Sequence, residues 1–358
     1  RPVAVTVSAE YRAVIATAAA PTVYLGELPF SALSYSSVLN GSASASVTLP
    51  LDSVANTTMA VAPGSTVLWI ERSGSLVFGG IVWTMTGDVA SNTVTLNAGD
   101  FMSYYARRVI RSTLTYSGVD SHVMARSVID YANGVTDALG IVGTADTSTS
   151  GVTSSRTFAS WDRKNVAGAI TQLSQVNNGF DYKLELSLPG NVPTVEFVCS
   201  SPNTGRATSL VFDLQSNIES VSFAVDGSQI VTQVDALGVG SGPDQLVATA
   251  TQASSQYSLM QSAASFSDVA VAASLQAHAD RQLALSRSTV SSVEVEVRTD
   301  IAPVPSEYAV GDLVEVRASK GFFVCPTAMR IVQIDVGSAG NSESVKLKLA
   351  DAAAFATI

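Results

Sequence analysis

Charge is what this sequence has least of. Lys, Arg, Asp and Glu make up 14% of its 358 residues, where a soluble domain usually carries roughly 25%. Mean hydropathy is +0.28, yet no uninterrupted apolar run reaches the ~18 residues that a membrane-spanning helix needs. A charge-poor surface that lipid does not cover is expected to be covered by other protein subunits. A monomer with a Ser- and Thr-rich surface is the plainer alternative. Histidine and cysteine are scarce too, two of each. A zinc site needs three or four convergent ligands, and His122, His278, Cys199 and Cys325 show no ligand spacing, so neither a metal nor a cofactor is expected. With so large a core available no disulfide is required. Both cysteines are expected reduced and buried or half buried.

Other absences narrow the chemistry further. No G-x-S-x-G elbow, P-loop or G-x-G-x-x-G follows a predicted strand, so no catalytic site is expected. His122 stands two residues after Asp120 and could pair with one of the many serines, but composition supplies no positioned base. His278 lies on an amphipathic stripe and reads as a packed helix residue. Glu294 and Glu296 share one strand face and read as solvated, and Asp312 and Glu315 read as turn and surface residues. The Arg107-Arg108-Val109-Ile110-Arg111 cluster could bind phosphate, but reads better as a strand whose arginines meet acidic partners or solvent. A net charge of −10 and a pI near 4.7 argue against tight nucleic-acid binding. They leave room for DNA as a transient passenger, because a conduit should repel phosphates. With Arg1 in place of methionine, a processed or trimmed start is expected. No basic region leads into an apolar run, so no secretion signal is expected.

What is present is a repeated hairpin. Residues 63–83 hold two β-branched and aromatic runs joined across Gly74, the pattern of an antiparallel hairpin. Val67 and Trp69 point one way and Leu68 and Ile70 the other, so both faces should be covered. A second copy occupies residues 310–323. Gly64 and Gly74 are ten apart, and so are Gly311 and Gly321. Each hairpin leads to a further strand that ends in aspartate, at Asp100 and Asp351. Any two glycine-turn hairpins look somewhat alike; the sharper reading is one β-domain used twice. Trp69, Phe78 and Trp83 could stack a sugar, but their place in a tight hairpin favours a core role.

The fold class expected is α+β and predominantly β: two β-barrels with an inserted α+β module. Residues 1–100 form the first barrel, with strands near 3–7, 12–17, 22–28, 33–40 and 45–49 before the hairpin. Residues 101–212 form the α+β module. In it Asp100 caps a short helix, Asp120 caps a second carrying Met124, Val128 and Tyr131, and a third runs from about 162 to 178. Residues 213–358 form the second barrel, with a helical excursion around 254–288.

Several motifs, in order, give the chain a family likeness. They are Leu25-Gly26-Glu27-Leu28-Pro29, Val38-Leu39-Asn40-Gly41, Pro63-Gly64, Trp69-Ile70-Glu71-Arg72-Ser73-Gly74 and Phe78-Gly79-Gly80-Ile81-Val82-Trp83. Further along come Tyr104-Tyr105-Ala106-Arg107-Arg108, Asn177-Asn178-Gly179-Phe180-Asp181-Tyr182 and Tyr308-Ala309-Val310-Gly311-Asp312. The chain resembles the minor tail proteins of siphophage tail tips, particularly those of actinobacterial hosts, a family related in fold to the baseplate hub of contractile phages. The resemblance implies tube-type barrels and a homotrimer at the tip of the virion tail, in which three chains with two barrels each match a sixfold tail tube. It also implies the distal tail protein, the tape measure protein and other tip proteins as neighbours, and no catalytic site in this core. Lytic or host-binding domains are appended in such families; with the chain stopping at Ile358 none is expected here. The alternatives are a hexameric distal tail adaptor and a cell-wall hydrolase or carbohydrate-binding adhesin.

Overall fold

A computed structural model describes residues 9–52, 61–176, 179–201, 206–252, 256–286, 290–340 and 342–352. The first part is strand after strand: β1 (Tyr11–Thr17), β2 (Gly26–Leu28), β3 (Ala32–Val38), β4 (Ser44–Pro50), β5 (Thr66–Arg72), β6 (Ser75–Asp88) and β7 (Thr93–Asp100). A mixed segment follows, with α1 (Phe101–Tyr105), β8 (Leu114–Asp120), α2 (Ser121–Asn133), β9 (Val142–Gly143), β10 (Thr153–Phe158), α3 (Val166–Ser174), β11 (Asp181–Ser187) and β12 (Thr194–Ser200). The last part holds β13 (Ala207–Asp213), β14 (Ile218–Asp226), β15 (Gln233–Leu237), β16 (Val247–Thr251), β17 (Gln261–Ser265), α4 (Ala272–Ser286) and β18 (Val290–Val297). It ends with β19 (Leu313–Arg317), β20 (Ser319–Lys320), β21 (Phe323–Val324), β22 (Ala328–Ala339) and β23 (Ser342–Asp351).

The class is as expected, α+β and mostly β, but the strands do not close into two separate barrels. They form one 13-stranded sheet in the order β14-β18-β23-β22-β3-β4-β7-β6-β5-β1-β2, with β19 beside β22 and β13 beside β19. Within it the order β3-β4-β7-β6-β5 recurs as β14-β18-β23-β22-β19. The physical reason for the open form is the joint between the two units. β22 runs past the end of β19 and pairs its outer half with β3, from Gln333 opposite Val38 to Ala339 opposite Ala32. The edge that would have closed one barrel therefore joins it to the next.

The sheet coils strongly. Arg72 at the end of β5 reaches Glu343 at the start of β23, with Nε donating to Oε1 over 2.8 Å and Nη2 to Oε2 over 3.0 Å. β5 and β23 lie six strand positions apart, about 29 Å in a flat sheet at ~4.8 Å per strand. Alternating residues of both units, among them Val47, Leu49, Leu96, Val295, Leu347 and Leu349, fill one shared core inside this coil.

The hairpin β5–β6 is buried on both faces, as its unbroken apolar runs predicted. Leu68, Ile70 and Phe78 face the shared core, whereas Val67, Trp69 and Ile81 meet α1 and the mixed segment in a second core. A third, small core lies between α4 and the sheet β16-β15-β17. This unit is an insert in the β14–β18 hairpin, whose strands close with Asp226 opposite Val290. In the first unit the matching strands β3 and β4 are linked by residues 39–43 alone.

Local signals placed the helices well. Asp100 caps α1 through Ser103 N, and Asp120 caps α2 through His122 N. α3 is capped by Asn165, so it starts later than the expected 162; Asn178, its expected end, and the strand near 3–7 lie outside the described residues. The stretch 22–28 gives only the short β2. Residues 107–111 are not a strand: one isolated bridge, Val109 to Asn165, is all they form. The excursion in the last third is a helix with three strands before it, because the small apolar residues Ala236, Ala248 and Ala250 let β15 and β16 sit close under α4.

Candidate assembly surfaces

The two hairpins start alike. Gly64 and Gly311 both sit at positive φ, 82° and 96°, where a Cβ would be strained. Gly64 N–H donates to Val82 O on β6 and Gly311 N–H to Ile331 O on β22, each over 2.7 Å. Gly74 and Gly321 also have positive φ, in the turn β5–β6 and the turn β20–β21. A bulge follows at the same place in each unit, between Val82 and Thr84 and between Ile331 and Gln333. Counting onward, Asp100 lies opposite Gly80 and Asp351 opposite Met329. Residue correspondence thus runs through β6 and β7 onto β22 and β23.

Trp69 and Phe78 are buried on opposite faces of their hairpin, so they make no common platform for a sugar. Trp69 donates its indole N–H to Pro21 O over 2.8 Å and lies opposite Gly79. Any Cβ at Gly79 would stand 2.1 Å from the indole ring. Trp83 is half-buried and donates to Ser103 Oγ over 2.8 Å. The Arg107 guanidinium lies over its ring at 3.9 Å, and Arg108 lies 5.4 Å from the Tyr104 centroid. These two arginines of the sequence cluster are therefore held by aromatic faces. Together with Gly64 and Leu139 they border an open cavity of about 680 Å³.

The histidines are enclosed. His122 is fully buried, with Nδ1 3.0 Å from Ser148 Oγ and Nε2 3.0 Å from Ser201 Oγ. Its neighbour Asp120 accepts from the backbone of His122, Ser150 and Gly151 and does not orient the ring. Burial lowers the His122 pKa. His278 is stacked on Phe266 at 4.2 Å and accepts at Nε2 from Arg156. Burial first, and then the positive charge of Arg156, push its pKa down to about 3. Among the described residues no three His, Cys, Asp or Glu side chains gather as metal ligands. Cys199 and Cys325 are free and buried, and burial pushes both thiols up.

Glu294 and Glu296 are answered across the sheet by Lys348 and Lys346. In the first unit the corresponding positions are Ser46, Thr48, Asn97 and Thr95, with the two threonine hydroxyls 3.1 Å apart. Asp312, expected at the surface, is buried. It accepts from Ala309 N over 3.0 Å and Arg206 N over 3.1 Å, and so closes the loop that leads into β19.

No sequence family and no curated protein matches this chain in sequence. Solved structures do match. A tail protein of Neisseria meningitidis superposes with a TM-score of 0.63 at 13% identity, covering 96% of each chain. The 43 kDa tail protein of prophage MuSo2 of Shewanella oneidensis gives 0.61 at 11% identity, covering 97% of this chain and 98% of that one. The prophage tail protein gp18 of Listeria monocytogenes gives 0.55 at 14% identity, covering 94% of each. The chain has the fold of phage tail proteins.

What holds the parts of this tail-protein fold together was not visible in sequence. Arg330 on β22 is fully buried and pairs with Asp181, the first residue of β11. Its Nε also donates to Gly311 O over 3.1 Å. Asp181 accepts in addition from Asn40 Nδ2, and Asn40 Oδ1 takes the N–H of Tyr182 over 2.7 Å. One buried knot therefore joins both repeated units to the mixed segment. Nothing local to residues 40, 181 and 330 marks them as partners.

Proposed function

We propose that the protein is a structural hub of a phage tail tip. Three copies form a ring that closes the distal tail tube, holds the distal tail protein, the tape measure protein and other tip proteins, and borders the passage for DNA. One observation carries this reading: the five-strand unit occurs twice and is already joined edge to edge inside one chain, so three chains present six such units. The outward face of the sheet supports it. That face is neutral in the first unit, through Ser46, Thr48, Thr95 and Asn97, and slightly acidic in the second, through Glu294, Glu296 and Asp335 against Lys346 and Lys348. A lining without a basic patch lets a polyanion slide instead of binding.

Native mass measurement of the purified, assembled protein tests the proposal. Three copies per particle are expected. Six would favour the sixfold adaptor, and turnover of cell-wall polymer that is lost on changing His122 would favour a hydrolase.

A further inference from the structure

Among the described residues the repeat leaves two strand edges without partners, and it also says what each should pair with. β14 corresponds to β3, yet β3 pairs on its outer side with β22, whereas β14 ends the sheet. β6 corresponds to β22, yet the outer half of β22 pairs with β3, whereas β6 beyond Val82 pairs only with β7 among the described residues. The consequences are visible in burial. Ile334 on β22 is 9% exposed, while its counterpart Met85 on β6 is 41% exposed. β3 is largely covered, while β14 is open on both faces from Ser222 to its end.

We propose that β14 of one copy adds to the outer half of β6 of the next copy, antiparallel, in the register that β3 takes on β22. The inference rests on the ring reading for its partner, a further copy of this chain. The registers fix the alignment. Following β4 onto β18 and β7 onto β23 maps Ala32 to Ser220, Tyr35 to Phe223 and Val38 to Asp226. Following the shared bulge maps Gln333 to Thr84 and Ile334 to Met85. Since Gln333 lies opposite Val38, Thr84 faces Asp226 of the neighbouring copy, and then Met85 faces Val225, Gly87 faces Phe223 and Val89 faces Val221.

Backbone pairing alone fixes this alignment, and the side chains agree with it. Met85 is 41%, Val89 84% and Val225 61% exposed. All fall on the face that continues the shared core, opposite one another or opposite apolar residues. A slip of one residue would turn them to the polar face. Gly87 opposite Phe223 leaves room for the ring, much as Gly79 leaves room for Trp69. The ribbon β20–β21 has no counterpart in the first unit; its Phe323 stacks on Phe223 at 4.1 Å, and Phe322 stands 91% exposed beside them. It is placed to cover the new joint. No like charges meet in the paired stretch, with Asp226 facing Thr84 and Asp88 facing Ser222. A head-to-tail joint of this kind builds a ring where its rotation closes, whereas a self-complementary joint stops at a dimer.

The test uses the full chain with Met85→Cys and Val225→Cys together, both at exposed positions. Mild oxidation of the assembled protein is expected to give covalent multimers on a denaturing gel that end at the copy number of the ring. The pair Met85→Cys with Ala224→Cys, which sets the thiols on opposite faces, is expected to stay at background. In the unmodified protein, amides of 84–88 and 220–226 are expected to exchange more slowly in the assembled than in the diluted state. A ring that forms without either signal overturns the edge pairing and leaves the ring reading standing. A chain that stays monomeric at every concentration overturns both.

Discussion

At the scale of single residues, glycine and buried titratable groups decide most. Gly79 is needed for contact, not for its backbone angle: Trp69 occupies the space of its missing side chain. Gly79→Ala should lower stability by about 1–3 kcal/mol, the usual range for overpacking a filled core, read as a lower urea midpoint. An unchanged midpoint would mean that the indole is free to move. Two buried groups should give opposite pH slopes. Burial raises the Asp100 pKa to about 6 from 3.8, against the hydrogen bonds it accepts from Ser42, Ala43 and Ser103. A raised carboxyl favours the fold below the unfolded pKa and loses that contribution as pH rises through 6. The stability of the parent relative to Asp100→Asn should therefore fall between pH 4 and 7. His278 is depressed from 6.5 to about 3, so its contribution is present above 6.5 and is lost as pH falls below it. Relative to His278→Gln, the parent should weaken from pH 7 down to 4. Denaturant titrations at several pH values check both signs; parallel curves would refute them.

At the scale of elements, the sequence was most legible where one side chain acts on its own neighbours. Asp100 and Asp120 start helices by accepting N–H groups a few residues on, and both were readable as caps. The β5–β6 hairpin was readable from its glycine turn and its unbroken apolar runs. The Arg107 to Arg111 segment was not, because its arginines are held by Trp83 and Tyr104 from other elements, or lie exposed, and no strand lies alongside. The unit of β15, β16, β17 and α4 hangs from the β14–β18 hairpin as an insert. Replacing residues 227–289 with a five-residue turn, as at 39–43, should leave a folded chain with the main sheet intact, because the two strands already meet without it. Its melting temperature should drop, since Arg156 and Lys164 lose His278 and Asp268. Circular dichroism and a thermal scan measure both; loss of the strand signal would show that the insert organises the sheet.

At the scale of the whole molecule, the parts are locked by a few polar contacts over long sequence separations. Asp181→Asn removes the buried carboxylate that Arg330 faces, and one-sided loss of a buried pair typically costs about 3–5 kcal/mol. A large fall in the denaturation midpoint is expected, with β11 and β22 losing amide protection together; a surface-like effect below ~1 kcal/mol would show that the knot adds little. By itself the sequence determined the strand-rich class, the caps at Asp100 and Asp120, the like starts of two strands at Gly64 and Gly311, and a low charge content, because each follows from local backbone preference or from composition. Only the tertiary structure decided that the two units share one open sheet instead of closing separately, and that residues 40, 181 and 330 meet. Strand alternation tells which side chains share a face, but which edge pairs with which is settled by contacts between segments that are hundreds of residues apart.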